Sequence, residues 1–438
     1  MEFQKIKLHR SEKNRAAVTQ ITLDDDYNVP DYRQDIVKVI KERGELRFDE
    51  VKAMEGAAWI KGSLLFKVLY RSDKQEGKIS CLRGEIPFQE RLNMDGLSEY
   101  DAVHATGDME DLTIGVINSR KLNVRAVIVL TASSEKEVDE ELTCELSDGS
   151  SYEQNIVEKE ALKLLVVRRD ICRQKSEAVL PSSKPNIREI LWQSMQLRNV
   201  ESRLVEGNIR LSGEILVSIL YNDEEEGEHL SWYETTVPLD AQAECGVMED
   251  DCIWQVQMVP LTMELEVKPD YDGEERILVM ELALDTHIRI WKEEKIRLLT
   301  DLYSLQKEVK PVFRECPLER LLVKNAAKCR MTEQMELKED KEKVLQICSC
   351  EGKVLLERQE IKPDGVLAEG TVEVNILYIT PDDHMPVGAV QEIYPFSQLV
   401  EIPEMSAQAK VELDASLEQL SACLLYTSPS PRDMRRSR

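Results

Sequence analysis

Apolar and polar residues alternate with a period of two along three equivalent stretches of this chain. In the first, Leu64, Phe66, Val68 and Tyr70 alternate with Ser63, Leu65, Lys67 and Leu69. The second places Ile215, Val217, Ile219 and Tyr221 in the same phase, and the third places Val372, Val374, Ile376 and Tyr378 there. Alternation of β-branched and aromatic residues predicts a strand with one face in a core. Each strand opens at a glycine and is followed at fixed spacing by a proline, as Gly62, Tyr70, Pro87, then Gly213, Tyr221, Pro238, then Gly370, Tyr378, Pro395. The copies lie 151 and then 157 residues apart, the signature of one domain-sized unit in tandem. The glycine fits a bulge or a close backbone approach, and the proline places the next strand at a sheet edge or ends it there. Polar turns at 72–77 and 222–227 join the two strands.

Upstream of the first strand, Pro30 and Asp31 precede Ile36, Val39 and Ile40, which fall at helical spacing before Gly44. This predicts a short helix opening the unit. The same offset reaches Leu180, Pro181, Ile187, Ile190 and Leu191 in the second copy, and Val344, Ile347 and Cys348 in the third, which lacks the proline. Downstream, apolar runs flank Asn118 and Ser119 in copy one, and the segment from Asp270 to Gly273 in copy two, predicting a closing hairpin. The expected architecture is mainly β, of the α+β class: three tandem β-rich, sandwich-like repeats, each with one short N-terminal helix. The expected boundaries are 1–155, 156–311 and 312–421, the third incomplete because its closing strand would fall past the last residue. Residues 422–438 are basic and proline-rich, unlike the rest, and read as a non-native tail on a chain that naturally continues. The charged connections 135–160 and 293–310 are too apolar for free linkers, so the expectation is an elongated array of touching units with limited hinge motion.

Composition narrows the function classes. The 438 residues suit about three domains, and 42% hydrophobic with 32% charged residues suits globular ones. A formal net charge of −26 argues against nucleic acid or anionic lipid as partner, since both are bound by clustered Lys and Arg. The first ten residues lack the apolar core of a signal peptide, and no window holds the about 18 apolar residues of a membrane span, so a cytoplasmic location is expected. The ten cysteines sit at non-equivalent places in the copies and read as reduced packing residues.

Little in the chain carries chemistry. His9, His104, His229, His287 and His384 are scattered, and Cys348 with Cys350 lacks the partner motif of a zinc site. Phosphate-binding loops and nucleophile elbows are missing from the sequence, and the acidic runs at 24–26 and 223–226 lack the spacing of a calcium loop. No catalytic, cofactor or metal residue is assigned, and no enzyme is expected. Trp232 and Tyr233, with Trp254 and Trp291 in the same unit, form the candidate partner contact or carbohydrate platform, with core packing as the alternative.

The segment from Val29 to Ile36, the strand 62–70, Glu85-Ile86-Pro87-Phe88 and the run 117–126 resemble the SPOCS domain, the repeated module of SipL-type spore coat assembly proteins of clostridial spore formers. The resemblance extends over nearly all of residues 1–421 and includes 299–304, similar to the segment after that module. It implies a non-enzymatic scaffold or adaptor, without cofactor, that acts in the mother cell at the forespore surface and holds a coat morphogenetic protein, a coat-basement ATPase in the family. Members commonly end in a LysM module that contacts peptidoglycan; this sequence contains no such segment. The alternative reading is a peptidoglycan- or glycan-binding array of the cell or spore envelope.

Overall fold

The computed structural model describes residues 2–72, 78–147, 152–224, 229–249, 251–306, 308–335, 337, 343–403 and 405–424. The tips of the turns expected at 72–77 and 222–227, and the tail from 425, lie outside the described residues. Fifteen strands and no helix are found among those described. Unit one contains β1 (Phe3–Asn28), β2 (Lys38–Met54), β3 (Ala57–Arg71), β4 (Ile79–Asn93), β5 (Val103–Asn118) and β6 (Lys121–Leu146). Unit two repeats them as β7 (Glu153–Val179), β8 (Ile187–Val205), β9 (Asn208–Asp223), β10 (Leu230–Glu244), β11 (Cys252–Pro269) and β12 (Glu275–Tyr303). Unit three contributes β13 (Gln346–Lys362), β14 (Gly365–Ile379) and β15 (Val387–Glu401), the counterparts of β2, β3 and β4.

Each complete unit is a sandwich of two three-stranded antiparallel sheets. In unit one, β2-β3-β4 faces β1-β6-β5; in unit two, β8-β9-β10 faces β11-β12-β7. The period-two face of β3 (Leu64, Phe66, Val68, Tyr70) packs with Leu122, Val124, Ala126, Ile128 and Leu130 of the central strand β6, all within 2% of full burial. At about 1.5–3 kcal/mol for each large apolar side chain removed from water, this seam is the main stabilising element of the unit.

The three repeated anchors have distinct physical roles. A Cβ added at Gly62 would lie 2.4 Å from the carbonyl oxygen of Arg47, at Gly213 2.9 Å from that of Arg198, and at Gly370 2.1 Å from that of Leu355. These carbonyls occupy equivalent positions beside register shifts in β2, β8 and β13, so the glycine admits the bulge of the neighbouring strand. The hydroxyls of Tyr70 and Tyr221 donate to the backbone oxygens of Gln34 and Pro185, 3.2 and 3.1 Å away. Pro87, Pro238 and Pro395 lie on the edge strands β4, β10 and β15, where a missing N–H leaves no gap in the ladder.

The helices expected at the start of each unit are absent, so the class is all-β rather than α+β. Pro30 and Pro181 open single turns, closed by Arg33 N–H to Pro30 O and by Lys184 N–H to Pro181 O, each 2.9 Å. The Arg120 guanidinium donates to the oxygens of Val29, Pro30 and Arg33, and Arg276 donates likewise to Leu180, Pro181 and Lys184. The chain then enters β2, β8 or β13 directly. The helical spacing arises because these strands are apolar on both faces. Val39 packs into its own sandwich, whereas the adjacent Ile40 packs against the other units.

That second face overturns the expectation of an elongated array. The connections at 135–160 and 293–310 are largely strand, forming long arms in which Leu8, Leu142, Ala161 and Ile296 cluster. The inner sheets of the three units meet in a closed ring: β4 contacts β8, β10 contacts β13, and β15 contacts β2. Equivalent residues line its centre, namely Leu69, Leu220 and Leu377, with Ile40, Leu191 and Cys348, and Ile79, Leu230 and Val387.

Candidate functional site

Two features stand out among the described residues: the charged hub where the three inner sheets meet, and a broad groove over the inner face of unit three. At the hub, each unit places a different side chain at equivalent positions, and together they make one network. Glu351 of β13 accepts from Lys41 at 2.9 Å, from Arg43 at 3.1 Å and from the indole Nε1 of Trp192 at 3.2 Å. Lys41 and Lys67 lie 5.2 and 5.0 Å from the centre of the buried Trp192 ring. Burial pushes the Glu351 carboxyl up, but Lys41, Arg43 and the two hydrogen bonds outweigh it and hold the group below its usual range. Lys67 has no hydrogen-bond partner, and burial pushes its amine down to about 8. Burial also raises the thiols of Cys348 and Cys350, to about 12 and about 11. The network ties the units together.

A second junction joins units one and two at the arms. The rings of His104 and His287 approach to 5.4 Å, Glu135 lies 3.6 Å from His287, and Arg289 contacts both Glu135 and Glu412. Burial, then the neighbouring Arg169 for His104 and Arg289 for His287, lower both imidazoles and so disfavour their charged forms. The carboxylates of Glu249 and Asp251 with the thiol of Cys252 could face a cation, but Lys292 contacts both carboxylates.

The aromatic candidates are dispersed. Trp232 is half-buried at the hub with Lys184 over its ring at 4.6 Å, and Tyr233 packs on the core of unit two. Trp254 donates to Ser202 and lies under Lys324, and none of the five tryptophans is fully exposed. The residues missed by sequence reasoning are Lys41, Lys67, Trp192 and Glu351. Their only signal was Leu69, Leu220 and Leu377, apolar residues on the supposedly solvated face of the repeated strand.

The groove of unit three holds about 2380 Å³. Its floor is the core-facing side of β13-β14-β15, and its walls are the segments 318–335 and 405–424, neither of which joins a sheet. The walls stand where β1 and β5 stand in unit one. Gly44 abuts Met109 and Leu112, and Gly352, its counterpart, abuts Leu417 and Leu420. Gln20 of β1 bonds Glu110 of β5; at the equivalent positions Lys328 bonds Glu418 at 2.7 Å.

Over residues 35–117, and again over residues 343–425, the chain matches the family model described as SipL, SPOCS domain. Residues 35–117 and 343–425 are two copies of the SipL SPOCS domain. The two SPOCS matches begin and end at equivalent positions of units one and three, and unit two repeats the same strand order between them. No match is found among curated proteins or among solved structures. The SPOCS domain points to a sporulation-related role. No helix among the described residues is long and apolar enough to cross a membrane.

Proposed function

We propose that this SPOCS protein is a non-enzymatic scaffold of spore envelope assembly that holds a protein partner at the forespore surface. The observation that carries the reading is the nature of what repeats. The repeated positions (Gly62, Gly213 and Gly370; Tyr70 and Tyr221; Leu69, Leu220 and Leu377) admit bulges, close turns or join units, and none of them is a reactive group. The buried charges at Glu351 and Glu135 are spent on joining units rather than on lining a cleft. The packing of Trp232 at the hub and of Tyr233 on the core of unit two favours the scaffold over the glycan reading. The test is the position of a fluorescent fusion in sporulating cells. A ring around the forespore is expected, and a diffuse signal in mother and vegetative cells alike would overturn the role.

A further inference from the structure

We propose that His104 is a proton-operated latch: the neutral imidazole fastens unit one to unit two, and its protonation on acidification loosens that junction. The latch is independent of the scaffold role, because it operates between two units of one chain whatever the chain holds.

The chemistry of one arginine sets the latch. On β7, Nε and Nη2 of Arg169 donate to the carboxylate of Asp285 on β12, Nε at 2.7 Å. This fork fixes the guanidinium. Its remaining terminal nitrogen, Nη1, reaches across to unit one and lies 3.2 Å from Nδ1 of His104 on β5. A guanidinium offers donors, has no acceptor and stays protonated. Nδ1 must therefore accept, which requires a lone pair there and places the ring's one proton on Nε2. A proton added at Nδ1 removes the acceptor and sets two cations 3.2 Å apart where a hydrogen bond had joined the units.

The carboxylates around the half-buried ring are already engaged. Asp285 is held by Arg169. Glu135 of β6 accepts from the Ser11 hydroxyl of β1 and pairs with Arg289 of β12 at 3.4 Å, and Arg289 also pairs with Glu412 of unit three at 3.5 Å. Glu135 lies 3.6 Å from Nε2 of His287, whose ring faces that of His104 with centroids 5.4 Å apart. A second proton, on His287, would therefore add repulsion between the rings. Glu135 and Asp285 favour a charged His104, whereas burial, Arg169 and Arg289 oppose it and prevail, lowering the imidazole from its usual range. Because the folded value is the lower one, the contribution of His104 is complete above the ordinary histidine value of 6.5 and is lost as pH falls through the folded value.

The test uses the whole chain. A double-mutant cycle of His104→Ala and Arg169→Ala, read by urea unfolding, measures the coupling of the two side chains at about pH 7.5 and about pH 5. Coupling of about 10-fold in the unfolding constant, the scale of a hydrogen bond to a charged group, is expected at the higher pH. At the lower pH it should vanish or change sign. His104→Asn places an uncharged acceptor near the position of Nδ1, so it should match the wild type at the higher pH and lose less stability on acidification. A second measurement needs no destabilised variant: the C2 proton of His104 in the folded wild-type chain, assigned by its loss in His104→Asn and followed by NMR, should titrate below 6.5.

Three results would overturn the proposal: coupling that is absent or of the same size at both pH values; an imidazole of His104 that titrates at or above 6.5; or an acid loss in His104→Asn equal to that of the wild type, which would place the sensitivity in other groups.

Discussion

Replacing Glu351 by alanine should open the centre of the ring. The carboxylate is 8% exposed and Lys41 6% exposed, so the substitution strands a nearly buried ammonium beside Arg43 and Lys67 with only the Trp192 face to stabilise it. At an effective dielectric constant near 20, one such pair about 4 Å apart is attracted by about 4 kcal/mol, and breaking a buried pair by removing one partner costs about 3–5 kcal/mol in practice. Urea unfolding is the assay. With a slope of about 3 kcal/mol/M, the midpoint should fall by about 1 M or more. The double variant Lys41→Met, Glu351→Leu should recover most of that loss, since an apolar pair of similar volume replaces a buried ion pair at little cost. A loss below about 1 kcal/mol for Glu351→Ala, the range of exposed pairs, or a double variant no better than the single one, would refute the reasoning.

Further predictions follow from the same contacts. Because Glu351 is held below its ordinary value of 4.5, its contribution to stability is complete above that pH and is lost as pH falls through the folded value; Glu351→Gln should flatten the acid limb of the stability curve. Lys67→Met should stabilise the protein at pH 7, and the gain should shrink as pH rises from about 8 to 10.5, where the wild-type amine is neutral in the folded chain but still charged in the unfolded one; a gain independent of pH would contradict this. Gly370→Val should lower the melting temperature, because the new side chain meets the Leu355 carbonyl at 2.1 Å, whereas valine at the exposed edge position Ile393 should leave it nearly unchanged. Thiol titration at pH 8 should label the exposed Cys329 rapidly and leave Cys348, raised to about 12, unmodified until the hub opens.

The sandwich was legible where one face of a strand is buried and the other is wet. The alternation at Leu64, Phe66, Val68 and Tyr70 located β3, and the turn at Asn118 and Ser119 located the β5-β6 hairpin. It was illegible where both faces are buried. Ile36, Val39 and Ile40 mimic helical spacing because two of them serve one core and the third serves the hub. The ring itself could not be read from spacing, since its closure depends on Glu351 meeting Lys41 and Arg43 across some 310 residues of chain. Periodicity carries no record of contacts at that separation. The charged connections deceived for a related reason: on strands at the molecular surface, charge marks the wet face of an arm as readily as it marks a linker.

Closure of the ring is tested most directly by zero-length carbodiimide coupling followed by mass spectrometry. The ammonium of Lys353 in unit three lies 3.5 Å from the carboxylate of Asp108 in unit one, both accessible to the reagent. The closed ring predicts an amide joining these two residues within single chains, lost in Asp108→Asn. Links confined to neighbouring units in sequence, with none between units one and three, would contradict the ring and restore the elongated array.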